Sequence, residues 1–191
     1  GAANTFAGGV TAGAGTLVAI VDAYDSPKVE SDLAVYRAQW GLPACTTANG
    51  CFKKVNQAGA TSPLPATDTT GWASEMAVDT QMVSATCPLC KILLVEANSS
   101  NIADLAAAAQ TAAKLGAKVV SNSYGTAEFN GQDTFDQYYK NAGVAYVASA
   151  GDSGYGVRYP AASPYITAVG GTTLTRSTST TRGFTETAWS K

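Results

Sequence analysis

Short apolar runs alternate with helix-length segments along nearly the whole chain, and no other feature restricts its fold as much. TLVAIVDAY (16–24), KILLVEA (91–97), AKVVSN (117–122) and VAYVAS (144–149) are strand-length and largely apolar. Such runs suit strands buried on both faces. Between them lie segments with helix signals. Residues 26–42 carry Pro27 in the first turn and Gly41 at the end, 102–115 stop at Gly116, and 133–142 stop at Gly143. CFKKVN (51–56) reads as a short strand, and TSPLPATDTTG (61–71) as a loop into another helix, with Thr69 or Thr70 as its cap. YITAVGGTTL (165–174) reads as one further strand. The pattern predicts an α/β fold, a mostly parallel central sheet with helices on both faces. Ligands gather beyond the carboxyl ends of such strands, where Asp22–Asp25, Ser121–Gly125, Ala150–Gly154 and Gly170–Thr173 fall. The polar stretch TRSTSTTRGFTETAWSK (175–191) brings no closing helix, so the sheet is expected to be incomplete.

The 191 residues suffice for one domain with a sizeable core, and 46% hydrophobic against 14% charged residues suits a compact globular protein. A net charge of −2 without a basic block predicts no nucleic-acid partner and no anionic membrane surface. No apolar run approaches the roughly 18–20 residues of a membrane span, and the start GAANTFAGG is not a signal peptide. The chain has no histidine. Imidazole is the usual general base near neutral pH, so any acid–base chemistry falls to carboxylates, Lys, Tyr or Cys.

Cys45, Cys51, Cys87 and Cys90 allow three disulfide pairings. The local pairing, closing two small loops in an oxidising compartment, is the main expectation. A zinc site is a rival, although C-x5-C with C-x2-C is not a usual finger spacing. A redox role for Cys87 and Cys90 would need the pair at a helix start, whereas here it precedes strand-like KILLVEA.

GWASEMAVDTQM (71–82) places Glu75 and Asp79 four residues apart in an apolar stretch. On a helix they lie about 40° apart around the axis and roughly 6 Å apart along it. Stepping about 100° per residue puts Met76, Val83, Asp79, Glu75 and Met82 in one arc of about 120°. The acids interrupt the apolar face instead of opposing it. Burying either one ionised is costly.

Glu75-x-x-x-Asp79, SNSYG (121–125) and SAGDSGYGVRYPAASPYITAVGGTTL (149–174) together resemble the sedolisin family, the serine-carboxyl peptidases, especially its kumamolisin-like members. That family shares the subtilisin fold. The resemblance implies that Glu75 is the general base and Asp79 the carboxylate that holds and polarises it. It places Asp152 in the oxyanion hole, where subtilisins use an asparagine, and Asp22 and Tyr124 where residues wired to the acid pair stand. Ser123-Tyr124-Gly125 matches the segment lining the substrate cleft. The family's nucleophile, in a late G-T-S-x-x-x-P motif, has no counterpart here. Gly171-Thr172-Thr173 has threonine where serine is needed and reads as structural.

Residues 1–191 therefore read as the N-terminal portion of one peptidase catalytic domain. The expected partners are a C-terminal chain of the same enzyme, bearing the serine, and protein or peptide substrates. A nick in an exposed loop after Lys191 would separate the halves. The family's calcium site belongs to the C-terminal half, so no metal ligands carry over and no cofactor is expected in this chain. The implied location is extracellular, after removal of signal and pro-segments.

Two carboxylates in contact titrate as a coupled pair and can hold one shared proton across a mildly acidic range. That makes an inward-facing acid pair worth its burial. An ionised Asp152 would repel an oxyanion, so it can help only as a neutral acid. Asp25, Glu96, Asp104 and Asp136 read as surface or cap residues. The reading is an acid-active endopeptidase working through an acyl-enzyme. The alternatives are an inactive homologue, a subtilisin-like binding scaffold, or an unrelated doubly wound binding domain. The last lacks support, because no Gly-rich phosphate turn follows the first strand.

Overall fold

A computed structural model describes residues 13–190, so the opening GAANTFAGG and the junction after Lys191 lie outside the described residues. The apolar runs become the strands of one parallel sheet: β1 (Leu17–Ala23), β2 (Phe52–Asn56), β3 (Lys91–Ala97), β4 (Val119–Asn122), β5 (Ala145–Ser149) and β6 (Thr167–Val169). Their order is β2-β3-β1-β4-β5-β6, with every pair parallel. The central strands β1 and β3 are buried on both sides, which is why they alternate so little.

The two faces carry separate cores. Helices α1 (Val29–Gln39) and α2 (Trp72–Thr86) set Val29, Leu33 and Met76 against Ile20, Ile92 and Leu94. On the other face, helix α3 (Ile102–Lys114) packs an alanine-rich side, Ala106, Ala108, Ala109 and Ala112, onto Ala19, Val21, Leu93 and Val95. Small side chains let that helix lie close to the sheet.

Strand order and helix placement fix the relative hand of the crossovers. Moving from β2 to β3 and from β3 to β4 are steps in one direction along the sheet, yet α2 and α3 lie on opposite faces. The β2–α2–β3 connection therefore has the opposite hand to β3–α3–β4, a departure from the near-uniform right-handed rule. The long loop 57–71 makes it feasible by running back to the carboxyl end of β1. There the Asp25 N–H donates to Ala66 O and the Asp68 N–H to Asp25 O, at 2.9 and 2.8 Å. Helix α2 starts beside the end of β1 and packs over it.

Three expectations change. Residues 133–142 do not form an α-helix; a 3₁₀ helix spans Gln132–Tyr139, where bulky Phe135, Tyr138 and Tyr139 disfavour a longer α-helix. Residues 165–174 are not one strand. β6 ends at Val169, and a second strand, β7 (Thr172–Arg176), pairs antiparallel with β8 (Phe184–Ala188), drawn from the polar stretch 175–191. The break falls at Gly170-Gly171, and Trp189 packs so closely there that a Cβ on Gly171 would stand 2.2 Å from its Cε3. Finally, Met82 points outward and is 48% exposed, while the buried residues of α2 are Met76, Thr80 and Ser84. Among the described residues no helix is long and apolar enough to cross a membrane.

Candidate active site

Asp68, not Thr69 or Thr70, caps helix α2. Its carboxylate accepts the Gly71 and Ala73 N–H groups at 3.0 and 2.9 Å, and both the N–H and the hydroxyl of Thr70 at 2.8 Å. Desolvation pushes this carboxyl up, but the donors from Ala73, Thr70 and Gly71 together outweigh it and hold the pKa at about 2. The cap reaches up from the loop, which leaves Gly71 free to take φ 113° as the chain enters the helix.

That placement turns Glu75 and Asp79 toward the carboxyl ends of β1 and β4. Both are partly buried. Asp79 Oδ1 accepts the Ser123 hydroxyl at 2.9 Å, whereas Oδ2 is buried without a partner. Burial pushes Asp79 up to about 6, against the Ser123 hydrogen bond, with the charge of Glu75 adding to the rise. Glu75 is raised by burial and then by the charge of Asp152. The two acids act on each other through charge; no hydrogen bond joins them.

Asp22, at the end of β1, is 0% exposed and neither of its oxygens has a partner. Burial raises its pKa well above the usual range, followed by the charges of Asp79, Glu75 and Glu96. Asp152 lies in an exposed bend beyond β5. Tyr124, expected to be wired to the acid pair, instead donates its hydroxyl to Asn122 Oδ1 at 2.8 Å. Its ring tilts against Trp72 at 6.5 Å. Of the segment 123–125, Ser123 turns to Asp79, while Tyr124 and Gly125 line a groove of about 800 Å³ with Trp72, Ile102, Leu105 and Phe129.

Sequence reasoning missed a second group of charges. Glu96 and Asp25, expected at the surface or as caps, are buried: Glu96 is 0% exposed and Asp25 8%. Lys54 Nζ contacts Asp25 Oδ1, donates to Ser26 O at 2.9 Å and stands 3.5 Å from Glu96 Oε1. Burial drives Glu96 up to about 8 despite the charge of Lys54 and the Ser26 N–H. A glutamate inside KILLVEA was the available signal, since a strand buried on both faces leaves it no route to water.

The cysteines pair locally, Cys45–Cys51 and Cys87–Cys90. Buried Arg37 ties both loops to the helices, donating to Pro43 O near the first, Pro88 O within the second, and Ser84 Oγ on α2. Among the described residues no three His, Cys, Asp or Glu side chains gather as a cation site would need.

Residues 66–190 match the family model described as the subtilase family. The chain belongs to that family. Among solved structures, this subtilase is similar to Pseudomonas sedolisin, a serine-carboxyl proteinase complexed with two molecules of pseudo-iodotyrostatin, at 22% identity and TM-score 0.71. The match covers 93% of this chain and 57% of that one, so the subtilase spans little more than half of sedolisin's length. The PatG macrocyclase domain is similar at 16% identity and TM-score 0.51, over 81% of this chain and 56% of that chain. The protease domain of PatA is similar at 22% identity and TM-score 0.50, over 83% and 58%. These likenesses show the fold. A search of curated proteins found no match. Two disulfides in this subtilase are consistent with an oxidising, extracellular setting.

Proposed function

We propose that this subtilase is the N-terminal portion of the catalytic domain of a secreted, acid-active serine-carboxyl endopeptidase, freed of signal and pro-segments. The observation that carries the reading is the inward-facing acid pair on α2, with Asp79 held by Ser123 and both carboxyls partly buried. A serine on a further segment or chain of the same enzyme attacks the peptide carbonyl, and Glu75 accepts its proton. Asp79, one turn along the helix, acts on Glu75 through charge. Collapse of the tetrahedral intermediate returns the proton from Glu75 to the leaving amine, leaving an acyl-enzyme that water hydrolyses by the same exchange. Asp152, as a neutral acid, donates a hydrogen bond to the oxyanion. Peptide lies along Ser123, Tyr124 and Gly125.

The deciding measurement is casein cleavage by the intact enzyme across pH, with and without a peptide-aldehyde inhibitor. We expect an acidic optimum, inhibition by the aldehyde, and a loss of about 10²–10⁴-fold for Glu75→Gln. Asp152→Asn should move the optimum. Full activity in Glu75→Gln would refute the base assignment, and an unmoved profile in Asp152→Asn the donor assignment.

A further inference from the structure

Among the described residues four buried carboxylate oxygens lack a hydrogen-bond partner: both of Asp22, Asp79 Oδ2 and Glu96 Oε2. They belong to one group. Asp22 and Glu96 are register partners on β1 and β3, so their side chains leave the sheet on the same side, about 4.8 Å apart at the backbone. Helix α2 covers that side with Asp79 and Glu75.

The donors nearby are already engaged. Lys54 serves Asp25 and Ser26 O and approaches only Oε1 of Glu96, the same oxygen that accepts the Ser26 N–H at 3.2 Å. Ser123 serves the other oxygen of Asp79, and the Tyr124 hydroxyl goes to Asn122. Lys54 pairs with Asp25 and Glu96, and among the described residues Asp22, Asp79 and Glu75 make no salt bridge. A buried acceptor without a donor is costly, and two adjacent buried carboxylates cannot both stay ionised. A proton held between two of these carboxyls supplies a donor without any further group.

We propose that Glu96 is a positioning residue that shares a buried proton with Asp22, and that this carboxyl pair supports Asp79 and Glu75 from behind. The role rests on reading Glu75 and Asp79 as the base pair. In acid, the shared proton joins Glu96 Oε2 to one oxygen of Asp22 and removes a negative charge from beneath Asp79. As pH rises the proton leaves, and Asp22, Glu96, Asp79 and Glu75 repel one another. Asp22 is raised by burial and, among its neighbours, by the charge of Glu96; Glu96 is raised by burial, with the charge and hydrogen bond of Asp25 adding to the rise. Groups raised on folding contribute stability that is full below the unfolded carboxyl range and is lost as pH climbs to their folded values. The window therefore runs from about pH 4 to about pH 8.

The test uses the whole enzyme as wild type, Glu96→Gln and Asp22→Asn, with melting across that window, infrared detection of protonated carboxyl at neutral pH, and the pH profile of kcat and KM. We expect wild-type Tm to fall through the window, and the fall to be shallower in Glu96→Gln, whose amide donates to Asp22 without titrating. The protonated-carboxyl band should weaken in each variant, and the alkaline limb of kcat should move in Glu96→Gln with KM unchanged. Absence of that band in the wild type at neutral pH would overturn the proposal whether or not the variants fold. So would a wild-type Tm slope and band retained in both. A peptidase reading that failed would instead appear as no acid cleavage of casein with band and slope intact.

Discussion

The Ser123 hydroxyl donates to Asp79 Oδ1 at 2.9 Å, joining the segment after β4 to the inner side of α2. This bond lowers the pKa of a carboxyl that burial and Glu75 push up to about 6. Removing it should leave Asp79 harder to ionise. One hydrogen bond is worth about 0.5–1.5 kcal/mol net, so Ser123→Ala should move the acidic limb of kcat/KM upward by roughly 0.5–1 pH unit. A limb that stays put would separate Ser123 from the titration of Asp79.

Asp68 makes a second prediction with the opposite pH sign. Its carboxyl is held at about 2 by the N–H groups that begin α2. A depressed folded pKa gives stability that is present above the unfolded value near 3.8 and disappears only as pH falls through about 2. The cap thus stays charged throughout mild acid, where the proposed chemistry runs. Asp68→Ala should cost about 1 kcal/mol, seen as a Tm lower by a few degrees at pH 5 and by much less near pH 2.

The parallel sheet was legible because strands buried on both faces have little choice of residue, and KILLVEA or TLVAIVDAY fit few other structures. Glu75 and Asp79 were legible for the complementary reason: charges interrupting an apolar helix face need an explanation. Glu96 and Asp25 were not, because one strand's sequence does not tell which neighbour shares its side of the sheet. That requires the β1–β3 register and the return of loop 57–71. Asp68 escaped notice because its cap works across a loop, and Arg37 because its partners are carbonyls that any sequence could supply. The β7–β8 hairpin was illegible for want of an apolar face, its strands being exposed throughout.

Arg37 is buried without a carboxylate partner, and burial lowers its pKa. Its planar fork reaches Pro43 O, Pro88 O and Ser84 Oγ at once, a geometry that a lysine ammonium cannot reproduce. Arg37→Lys should destabilise the enzyme by about 2–4 kcal/mol through lost hydrogen bonds to buried acceptors. Thermal melting reads the loss. An unchanged Tm would show that the two disulfide loops hold their places without the guanidinium.

Gly125 sits where the groove wall has no spare room. A Cβ there would stand 2.8 Å from Arg158 Cβ and 3.4 Å from Tyr159 O. The nearest of these atoms lies at the root of its side chain, so rotation cannot clear it, and Thr126 is locked to Tyr159 by paired backbone hydrogen bonds at 2.8 and 2.9 Å. Gly125→Ala must therefore push residues 124–126 toward the groove lined by Trp72 and Ile102. If peptide binds along this wall, KM should rise several-fold while kcat changes less, because the substitution leaves both partners of the Ser123–Asp79 bond in place. Steady-state kinetics with a short peptide separates the two constants, and a kcat loss at unchanged KM would place peptide elsewhere.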